Sequence, residues 1–340
     1  MKIGIIGDVH WSKYSSIIRS RGDKFSTRLE NCIKSINWAE DTLQNLGCTH
    51  IFYLGDFFDK SELYGEEISA LKSIKWAPCY HTFLVGNHEI SINNNTYNTA
   101  DVFSLLDVAE VIYKPQTLSY KDIQIDCLPY MNPDLLDEAI ESFNKNSDIP
   151  RILLSHNDVK GIQMGKFISE VGLDTGVIED NYNLCINGHL HNGQLISEKI
   201  INIGNLTGQN FSEDAFKYSH NIIVVDTDNL SSYTLIENPF AFNFYKLDYT
   251  VPNEYNLDKD NKVITLKCKE DTYKYYKDLL DLNSSVVASR IIIQPKSTSQ
   301  NLTTDNISLT VDHLEKFQEF ILQELGTSDK VKEELIEVIK

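Results

Sequence analysis

Short apolar runs alternate with helical patterns over roughly the first 240 residues of the chain. The runs are rich in β-branched and aromatic residues, which is typical of buried strands. The predicted strands are 3–6, 51–54, 82–85, 152–154, 184–186 and 222–225. Apolar residues at helical spacing predict helices near 26–46, 62–75, 97–107 and 134–145. This alternation predicts an α/β fold with layered sheets and helices.

The pattern changes near residues 237–244, where the sequence reads ENPFAFNF. Residues 245–296 then read as strand, helix and strand, and the polar stretch 297–306 is typical of a linker. The last thirty or so residues read as two amphipathic helices with a break at GTSD. We therefore predict a large domain over 1–240, a small α+β domain over 241–298, and a linker with a helical tail over 299–340.

The composition is that of an ordinary globular protein, with 41% hydrophobic and 24% charged residues in 340. No apolar run approaches the roughly 18 residues that a membrane span needs. The N-terminus lacks the apolar core and cleavage site of a signal peptide. The six cysteines are scattered without a C-x-x-C pair, which predicts reduced thiols and argues against a zinc ribbon. We therefore expect a cytoplasmic protein.

The net charge of −18 argues against a nucleic-acid partner, because phosphate contacts require Lys and Arg. Bound divalent cations reverse the sign locally, however. Five basic residues also lie in one short segment opposed only by Asp23, namely Lys13, Arg19, Arg21, Lys24 and Arg28. Lys13, Arg19 and Arg21 are candidate substrate contacts, and the alternative is a solvated loop and helix face. The neighbouring Trp11 and Tyr14 either stack on bases or pack against the next helix.

Five predicted strands are each followed at once by a short polar motif. The motifs are GDVH (7–10), GDFFD (55–59), GNHE (86–89), SHND (155–158) and GHLH (188–191). Ligand sites in open sheets gather at the carboxyl ends of strands, where the loops diverge. We therefore expect seven side chains to meet at one place: Asp8, His10, Asp56, Asn87, His156, His189 and His191.

These side chains offer imidazole nitrogens, carboxylates and one amide oxygen, with no thiolate. That set suits a divalent ion such as Mn²⁺, with Mg²⁺, Fe²⁺, Co²⁺, Ni²⁺ or Zn²⁺ as alternatives. Seven ligands are too many for one ion, whereas two ions about 3.5–4 Å apart that share a carboxylate account for all of them. Such a pair lowers the pKa of a bound water and neutralises phosphate charge, so the sequence predicts a two-metal phosphoesterase.

The five motifs together resemble the conserved blocks of the calcineurin-like metallophosphoesterases, over about residues 1–225. The resemblance implies two packed β-sheets flanked by helices. It assigns Asp8, His10 and His191 to a first metal, and Asn87, His156 and His189 to a second. It further implies that Asp56 bridges both metals. His88 resembles the family's catalytic histidine, which stabilises the transition state and protonates the leaving oxygen without binding metal.

Within this superfamily the chain is most similar to the SbcD-type DNA double-strand-break repair nucleases, including phage recombination nuclease subunits. The similarity lies in GDFFD and in INIGNLTGQNFSED at 201–214. It implies that 241–298 caps the DNA and that the tail docks on an SbcC-like SMC-type ATPase. The sequence departs from these relatives at Asn205-Leu206, which replaces a small residue and Pro. It also departs at Asp59, where some relatives carry a second catalytic His. Asp59 is therefore either a capping or supporting carboxylate or a directly catalytic residue, and it is also a candidate substrate contact.

In the same relatives, the helices after GDFFD and GNHE build a homodimer. The corresponding apolar side chains here are Ile68, Leu71, Phe103, Leu105 and Leu106. They either form an exposed seam for a second copy or merely cover the sheet.

Three functions follow from these observations. The first is a Mn²⁺-dependent DNA endo/exonuclease subunit of an SbcCD-like complex, acting in DNA repair, recombination or replication. The second is a phosphatase or small-molecule phosphodiesterase on the same core. The third is a non-catalytic scaffold for the ATPase. The basic segment, the small domain and the helical tail favour the first, and the intact set of seven ligands with His88 argues against the third.

Overall fold

Two six-stranded sheets contain all the strands predicted for the first 240 residues. A computed structural model describes residues 1–15, 17, 21–91, 94–143, 149–164, 167–230 and 232–294. The described helices are α1 (Thr27–Asn45), α2 (Gly65–Leu71), α3 (Asp101–Leu105), α4 (Leu136–Ser142), α5 (Thr175–Asn181) and α6 (Tyr273–Leu282). The described strands are β1 (Lys2–Ile6), β2 (His50–Leu54), β3 (Tyr80–Leu84), β4 (Ile90–Ser91), β5 (Asn94–Asn98), β6 (Glu110–Ile112), β7 (Gln116–Ser119), β8 (Gln124–Leu128), β9 (Arg151–Ser155), β10 (Gln163–Met164), β11 (Phe167–Ile168), β12 (Leu184–Asn187), β13 (Gln194–Leu195), β14 (Ile200–Asn202), β15 (Asn221–Asp226), β16 (Tyr233–Glu237), β17 (Asn243–Asp248), β18 (Lys262–Lys269) and β19 (Val286–Gln294).

The first sheet has the strand order β16-β15-β1-β2-β3-β6. Its strands β1, β2, β3 and β6 are parallel, β15 pairs antiparallel with β1, and β16 pairs antiparallel with β15. The second sheet has the order β13-β14-β12-β9-β8-β7, with a parallel centre of β14, β12, β9 and β8. Parallel neighbours end at the same edge of their sheet, so the polar motifs that follow these strands start from shared edges.

The two sheets pack face to face, with helices on their outer surfaces. Alternation along β9 illustrates this arrangement, since its side chains point to opposite faces. Ile152 and Leu154 join the core between the sheets, together with Ile5 of β1, whereas Leu153 packs with the helices α4 and α5. Helix α1 covers the first sheet with a buried stripe that includes Leu29. This confirms the predicted layered α/β fold.

Some elements were not predicted from the sequence, and strand β8 shows why. Its sequence QIDCL is fully buried although it contains Asp126. The Asp126 carboxylate pairs with the guanidinium of Arg151 on the neighbouring strand β9. A buried charge is tolerated only with such a partner, and the partner is remote in sequence. Helix α3 is shorter than predicted because residues 94–98 form β5 and pair with β4.

A third, smaller sheet follows the two large ones and contains the parallel strands β17, β18 and β19. The predicted strand, helix and strand correspond to β18, α6 and β19, and β17 is additional. Tyr245, Ile264, Leu266 and Leu280 form its core. Residues 1–294 form one compact unit. The predicted linker and tail helices over 299–340 lie outside the described residues.

None of the described helices is long and apolar enough to cross a membrane. All six cysteines are free thiols, and all except Cys79 are buried. The cytoplasmic location stays a prediction.

Candidate metal centre

All seven predicted ligands and His88 lie on loops that leave the carboxyl ends of five parallel strands. Strands β1, β2 and β3 belong to the first sheet, and β9 and β12 belong to the second. Since the sheets pack face to face, these loops converge at one end of the core. Among the described residues three overlapping sets of ligand atoms form there: Asp8, His10 and His191; His10, Asp56 and His88; and Asp56, His156 and His189. They define a first and a second ligand group with Asp56 between them.

The first group contains Asp8, His10 and His191. The Nε2 atoms of His10 and His191 are 3.0 Å apart, although the residues are separated by 181 positions. His10 Nε2 is also 3.9 Å from Asp8 Oδ2 and 3.9 Å from Asp56 Oδ2. The potential ligand atoms of Asp8, His10 and His191 and the carboxylate of Asp56 therefore face a common point.

The second group contains Asp56, Asn87, His156 and His189. His156 Nε2 is 3.2 Å from Asp56 Oδ2 and 3.3 Å from Asn87 Oδ1. His189 Nδ1 is 3.0 Å from the same amide oxygen. The Asp56 carboxylate lies between the two groups, as the resemblance implies for a bridging ligand.

The side chains fit two divalent cations. Asp8 and Asp56 are both fully or almost fully buried, which is costly for two neighbouring carboxylates unless cations offset their charge. Among the described residues no hydrogen-bond donor reaches the buried oxygen Asp8 Oδ2. Asp8, His10 and His191 would hold one ion, and Asn87, His156 and His189 the other. Such ions supply positive charge for a phosphate group, and Mn²⁺ as their identity stays a prediction.

Without bound cations, the charges within the site shift the pKa values of its side chains. Protons on the imidazole of His156 would therefore compete with cations for this site. Burial lowers the pKa of His156, but the Asp56 carboxylate outweighs burial and raises it to about 10. Burial opposes ionisation of Asp56, yet His156 holds its pKa well below the usual range. Burial and the neighbouring His10 lower the pKa of His191 to about 3. Positive charge is thus favoured beside Asp56.

The ligand loops have strained backbones. His10, Asp56 and His189 have φ values of +50°, +47° and +73°, in the left-handed region that residues other than glycine rarely adopt. Such strain clusters at functional sites, where the surrounding structure enforces it. Gly55 has φ +80°, and a Cβ atom there would lie 2.4 Å from His156 Nδ1. Glycine is therefore required directly before Asp56.

His88 lies beside the first group with its ring oriented by the preceding loop. Its Nδ1 is 2.8 Å from the Asp59 carbonyl oxygen, and its Nε2 is 3.9 Å from Asp56 Oδ2. The side chain is 38% exposed, so His88 lies at the solvent-accessible edge of the centre. This placement suits the predicted role of protonating a leaving oxygen.

Asp59 contacts two histidines of the site. Its carboxylate Oδ1 is 3.3 Å from His10 Nδ1, and its carbonyl oxygen binds His88. A carboxylate on the outer nitrogen of a metal-binding histidine fixes the ring orientation. The contact therefore favours the supporting role left open by the sequence, and a direct substrate contact stays a prediction.

Glu89 is a positioning residue that the sequence analysis did not identify. It is completely buried and accepts three backbone N–H groups, from Asp56 (3.0 Å), Phe58 (2.8 Å) and Gly86 (2.7 Å). It thereby joins the loops after β2 and β3. Burial and the charge of Asp56 raise its pKa to about 8. The only signal in the sequence is its place at the end of GNHE.

Three more supporting residues were not recognised from the sequence. Asp158 Oδ1 lies 3.4 Å from His189 Nε2, and this contact lowers the pKa of Asp158. Asn210 Nδ2 is 3.2 Å from His191 Nδ1. Arg28 is buried and donates to the carbonyl oxygens of Val9, His10 and Gly208, so it supports loops and is not part of an exposed basic face.

The candidate substrate contacts have different surroundings. Lys13 Nζ lies 4.1 Å from the ring centre of Tyr64 and 4.8 Å from that of Tyr14. Arg21 is exposed and paired with Glu66 at 2.8 Å. Arg19 lies outside the described residues. Of the two aromatic residues beside them, Trp11 is buried and stacks on Phe57, whereas Tyr14 is 54% exposed.

The sequence matches one protein-family model. A family model described as calcineurin-like phosphoesterase matches residues 1–193, more than half of the chain. The chain is similar to the solved calcineurin-like phosphoesterase YfkN from Bacillus subtilis, with a TM-score of 0.34 and 12% identity over 70% of this chain and 88% of that one. A second solved chain has a TM-score of 0.44 and 9% identity over 70% of this chain and 98% of that one. Both TM-scores are low, so neither similarity supports the assignment, and no curated protein matches the sequence. On the family match, the chain belongs to the calcineurin-like phosphoesterase family of metal-dependent phosphoester hydrolases.

Proposed function

We propose that this protein hydrolyses phosphodiester bonds in DNA with Mn²⁺, as the nuclease subunit of an SbcCD-like complex in DNA repair, recombination or replication. The observation that carries the proposal is a surface of two lysines and two tyrosines beside the metal centre, described next. The metal centre itself is common to the family and does not distinguish a nuclease from a phosphatase.

This basic aromatic surface is defined by Lys13, Tyr14, Lys60 and Tyr64. Lys13 Nζ lies over both tyrosine rings, and Lys60 Nζ is 5.6 Å from the ring centre of Tyr14. The two rings meet edge to face at 5.5 Å, and both are exposed, by 54% and 42%. Lys60 directly follows Asp59, so the surface adjoins the histidines that Asp59 orients.

Such a surface fits a polynucleotide better than a small phosphomonoester. Lysines bind the backbone phosphates, and exposed aromatic rings stack on bases. The metal centre already binds the phosphate of a small phosphomonoester. Such a substrate has no second phosphate to contact Lys13 or Lys60. The acidic total of 49 Asp and Glu against 31 Lys and Arg is compatible with DNA if divalent ions and a partner supply further positive charge.

The SMC-type ATPase partner and the homodimer are parts of the same proposal. Of the five apolar residues named for the dimer, Leu71 and Phe103 are buried in the core. Ile68, Leu105 and Leu106 are 48%, 84% and 58% exposed. Exposed apolar residues of this kind are a common feature of subunit interfaces.

The test compares linear DNA with p-nitrophenyl phosphate and bis(p-nitrophenyl) phosphate, with Mn²⁺ and with EDTA. We expect Mn²⁺-dependent cleavage of DNA. Lys13→Gln should weaken DNA binding and reduce its salt dependence, because one phosphate contact is lost. Lys121→Gln, an exposed lysine in the turn between β7 and β8, is the matched control and should behave as wild type. Hydrolysis of the small esters without any DNA cleavage would instead support the phosphatase or small-molecule phosphodiesterase.

A further inference from the structure

A cluster of three buried polar side chains lies in the segment that follows the GHLH motif. It consists of Asn205, Glu213 and His220, all of which are buried. None of the three belongs to the predicted metal ligands or to the candidate substrate contacts. Asn205 is also a position at which the sequence departs from its SbcD-type relatives, so the resemblance assigns this cluster no role.

One carboxylate oxygen of Glu213 holds the loop 205–213 together. Its Oε1 accepts the side-chain amide of Asn205 at 3.0 Å and the backbone N–H groups of Gln209 and Asn210 at 2.9 and 3.1 Å. The backbone N–H of Glu213 donates in turn to the carbonyl oxygen of Asn210 at 3.2 Å. Backbone N–H groups outside helices and strands need such acceptors when they are shielded from water. The loop therefore depends on an oxygen atom at the position of Oε1.

His220 joins the cluster to the backbone of Asn205. Its Nδ1 is 2.9 Å from the Asn205 carbonyl oxygen, which can only accept, so this nitrogen carries a proton. Its Nε2 is 3.5 Å from Glu213 Oε2, an oxygen that no hydrogen-bond donor reaches among the described residues. The two oxygens of Glu213 thus differ, since Oε1 makes the hydrogen bonds of the loop and Oε2 only faces His220.

The same loop contacts the predicted metal ligand His191 at two points. The backbone N–H of Asn205 donates to the His191 carbonyl oxygen at 3.1 Å. The Asn210 side chain has Nδ2 at 3.2 Å from His191 Nδ1, the ring nitrogen that does not face His10. A partner on the outer nitrogen of a metal-binding histidine fixes the orientation of its ring. Glu213 is therefore connected to His191 through both Asn205 and Asn210.

We infer that Glu213 is a positioning residue for the first metal, which it affects through the loop 205–213. Together with Asn205 and His220 it fixes Asn210, and Asn210 orients the His191 ring so that Nε2 faces the cation. The inference goes beyond the proposed function, because it concerns the metal centre and holds for a DNA or a small-ester substrate.

The experiment titrates the full-length protein with Mn²⁺ alone and compares two conservative variants. Glu213→Asp keeps the charge but withdraws the oxygen from the three donors, so affinity for the first metal should fall about 10-fold while the second is unchanged. Glu213→Gln loses the charge but keeps an oxygen at the position of Oε1, and its NH₂ group can donate to His220 Nε2. It should therefore retain most of the wild-type affinity for the first metal.

Calorimetry measures the two affinities, and electron paramagnetic resonance identifies the metal that is lost. At a Mn²⁺ concentration that fills both sites of the wild type, Glu213→Asp should show more of the spectrum of single Mn²⁺ ions and less of the coupled pair. Asn210→Ala should cause a similar loss. The double variant Glu213→Asp/Asn210→Ala should lose little more than either alone, because both changes release the same ring.

Glu198→Ala is the control, since Glu198 is exposed in the turn between β13 and β14, and it should titrate as wild type. Thermal unfolding checks that each variant is folded at the titration temperature. The inference would be overturned by equal losses at both metals, by a weaker first site in Glu213→Gln than in Glu213→Asp, or by losses that multiply in the double variant. A wild-type chain that binds no Mn²⁺ would overturn the metal centre and the inference with it, whereas absence of DNA cleavage would affect only the proposed function.

Discussion

Glu89 Oε2 accepts the backbone N–H of Asp56 at 3.0 Å, although the two residues follow different strands. The same carboxylate accepts the N–H groups of Phe58 and Gly86. One buried side chain therefore ties the backbone of Asp56 to the loop that carries Asn87 and His88. These hydrogen bonds explain how the loops after β2 and β3 keep a fixed position relative to each other.

Replacement of this carboxylate should loosen the metal centre. In Glu89→Gln one acceptor oxygen becomes an NH₂ group, which faces a backbone N–H that it cannot bind. We expect metal affinity to fall about 10- to 100-fold and the free energy of unfolding to fall by about 1–3 kcal/mol. Isothermal titration with Mn²⁺ and thermal unfolding measure the two effects. Glu62→Gln, at an exposed glutamate, is the control, and equal behaviour of both variants would contradict the positioning role.

His88→Ala should remove cleavage while leaving two bound metals. Its Nε2 faces the centre at 3.9 Å from Asp56 Oδ2 without belonging to the predicted ligand set. A general acid contributes about 10²- to 10⁴-fold, so kcat should fall by this range on DNA. The loss should be smaller with bis(p-nitrophenyl) phosphate, whose leaving group needs no proton. Metal analysis checks occupancy, and unchanged nuclease activity would reject the catalytic assignment.

Asp59 and Asp158 offer a matched pair of substitutions. Asp59 contacts the outer nitrogen of His10 at 3.3 Å, and Asp158 contacts that of His189 at 3.4 Å. Asp59→Asn should weaken the first metal and Asp158→Asn the second, each by about 10- to 100-fold. A stepwise Mn²⁺ titration of each variant distinguishes the two sites. Identical titration curves for the two variants would contradict this division of roles.

Metal binding should release protons near neutral pH. Asp56 raises the pKa of His156 to about 10 despite its burial, so the imidazole is protonated at pH 7 before a cation binds. Metal ions require the neutral imidazole, and apparent affinity should therefore rise with pH until it levels off near about pH 10. Calorimetry in two buffers with different ionisation enthalpies measures the released protons. A pH-independent affinity between about pH 6 and pH 8 would contradict the prediction.

The C-terminal tail should be needed for assembly and not for chemistry. Residues 307–340 lie outside the described residues and follow the polar stretch 297–306. A variant that ends at residue 306 should retain Mn²⁺-dependent cleavage and lose binding to a co-expressed SMC-type ATPase from the same source. A pulldown compares the two chains, and undiminished capture of the ATPase would refute the docking role.

Much of the fold could be predicted because its central strands are continuous apolar runs. Residues 51–54 and 152–154 carry no polar side chain except the tyrosine hydroxyl, and a polar motif follows each run. Strand β8 was missed because Asp126 interrupts its pattern, and only the contact with Arg151 makes that burial tolerable. Arg28 was grouped with an exposed basic segment because its charge suggests exposure. The carbonyl oxygens that it binds in the buried site come from other loops, and the sequence does not show them.

By itself, the sequence predicted which side chains would form the metal centre and that each follows a strand, because local apolar periodicity and fixed motifs encode both. Only the tertiary structure decided which atoms face one another. The Nε2 atoms of His10 and His191 meet at 3.0 Å through the packing of two separate sheets. Likewise, Asp59 and Glu89 became positioning residues through contacts with other loops. Such contacts depend on how distant segments pack, and no local pattern records that packing.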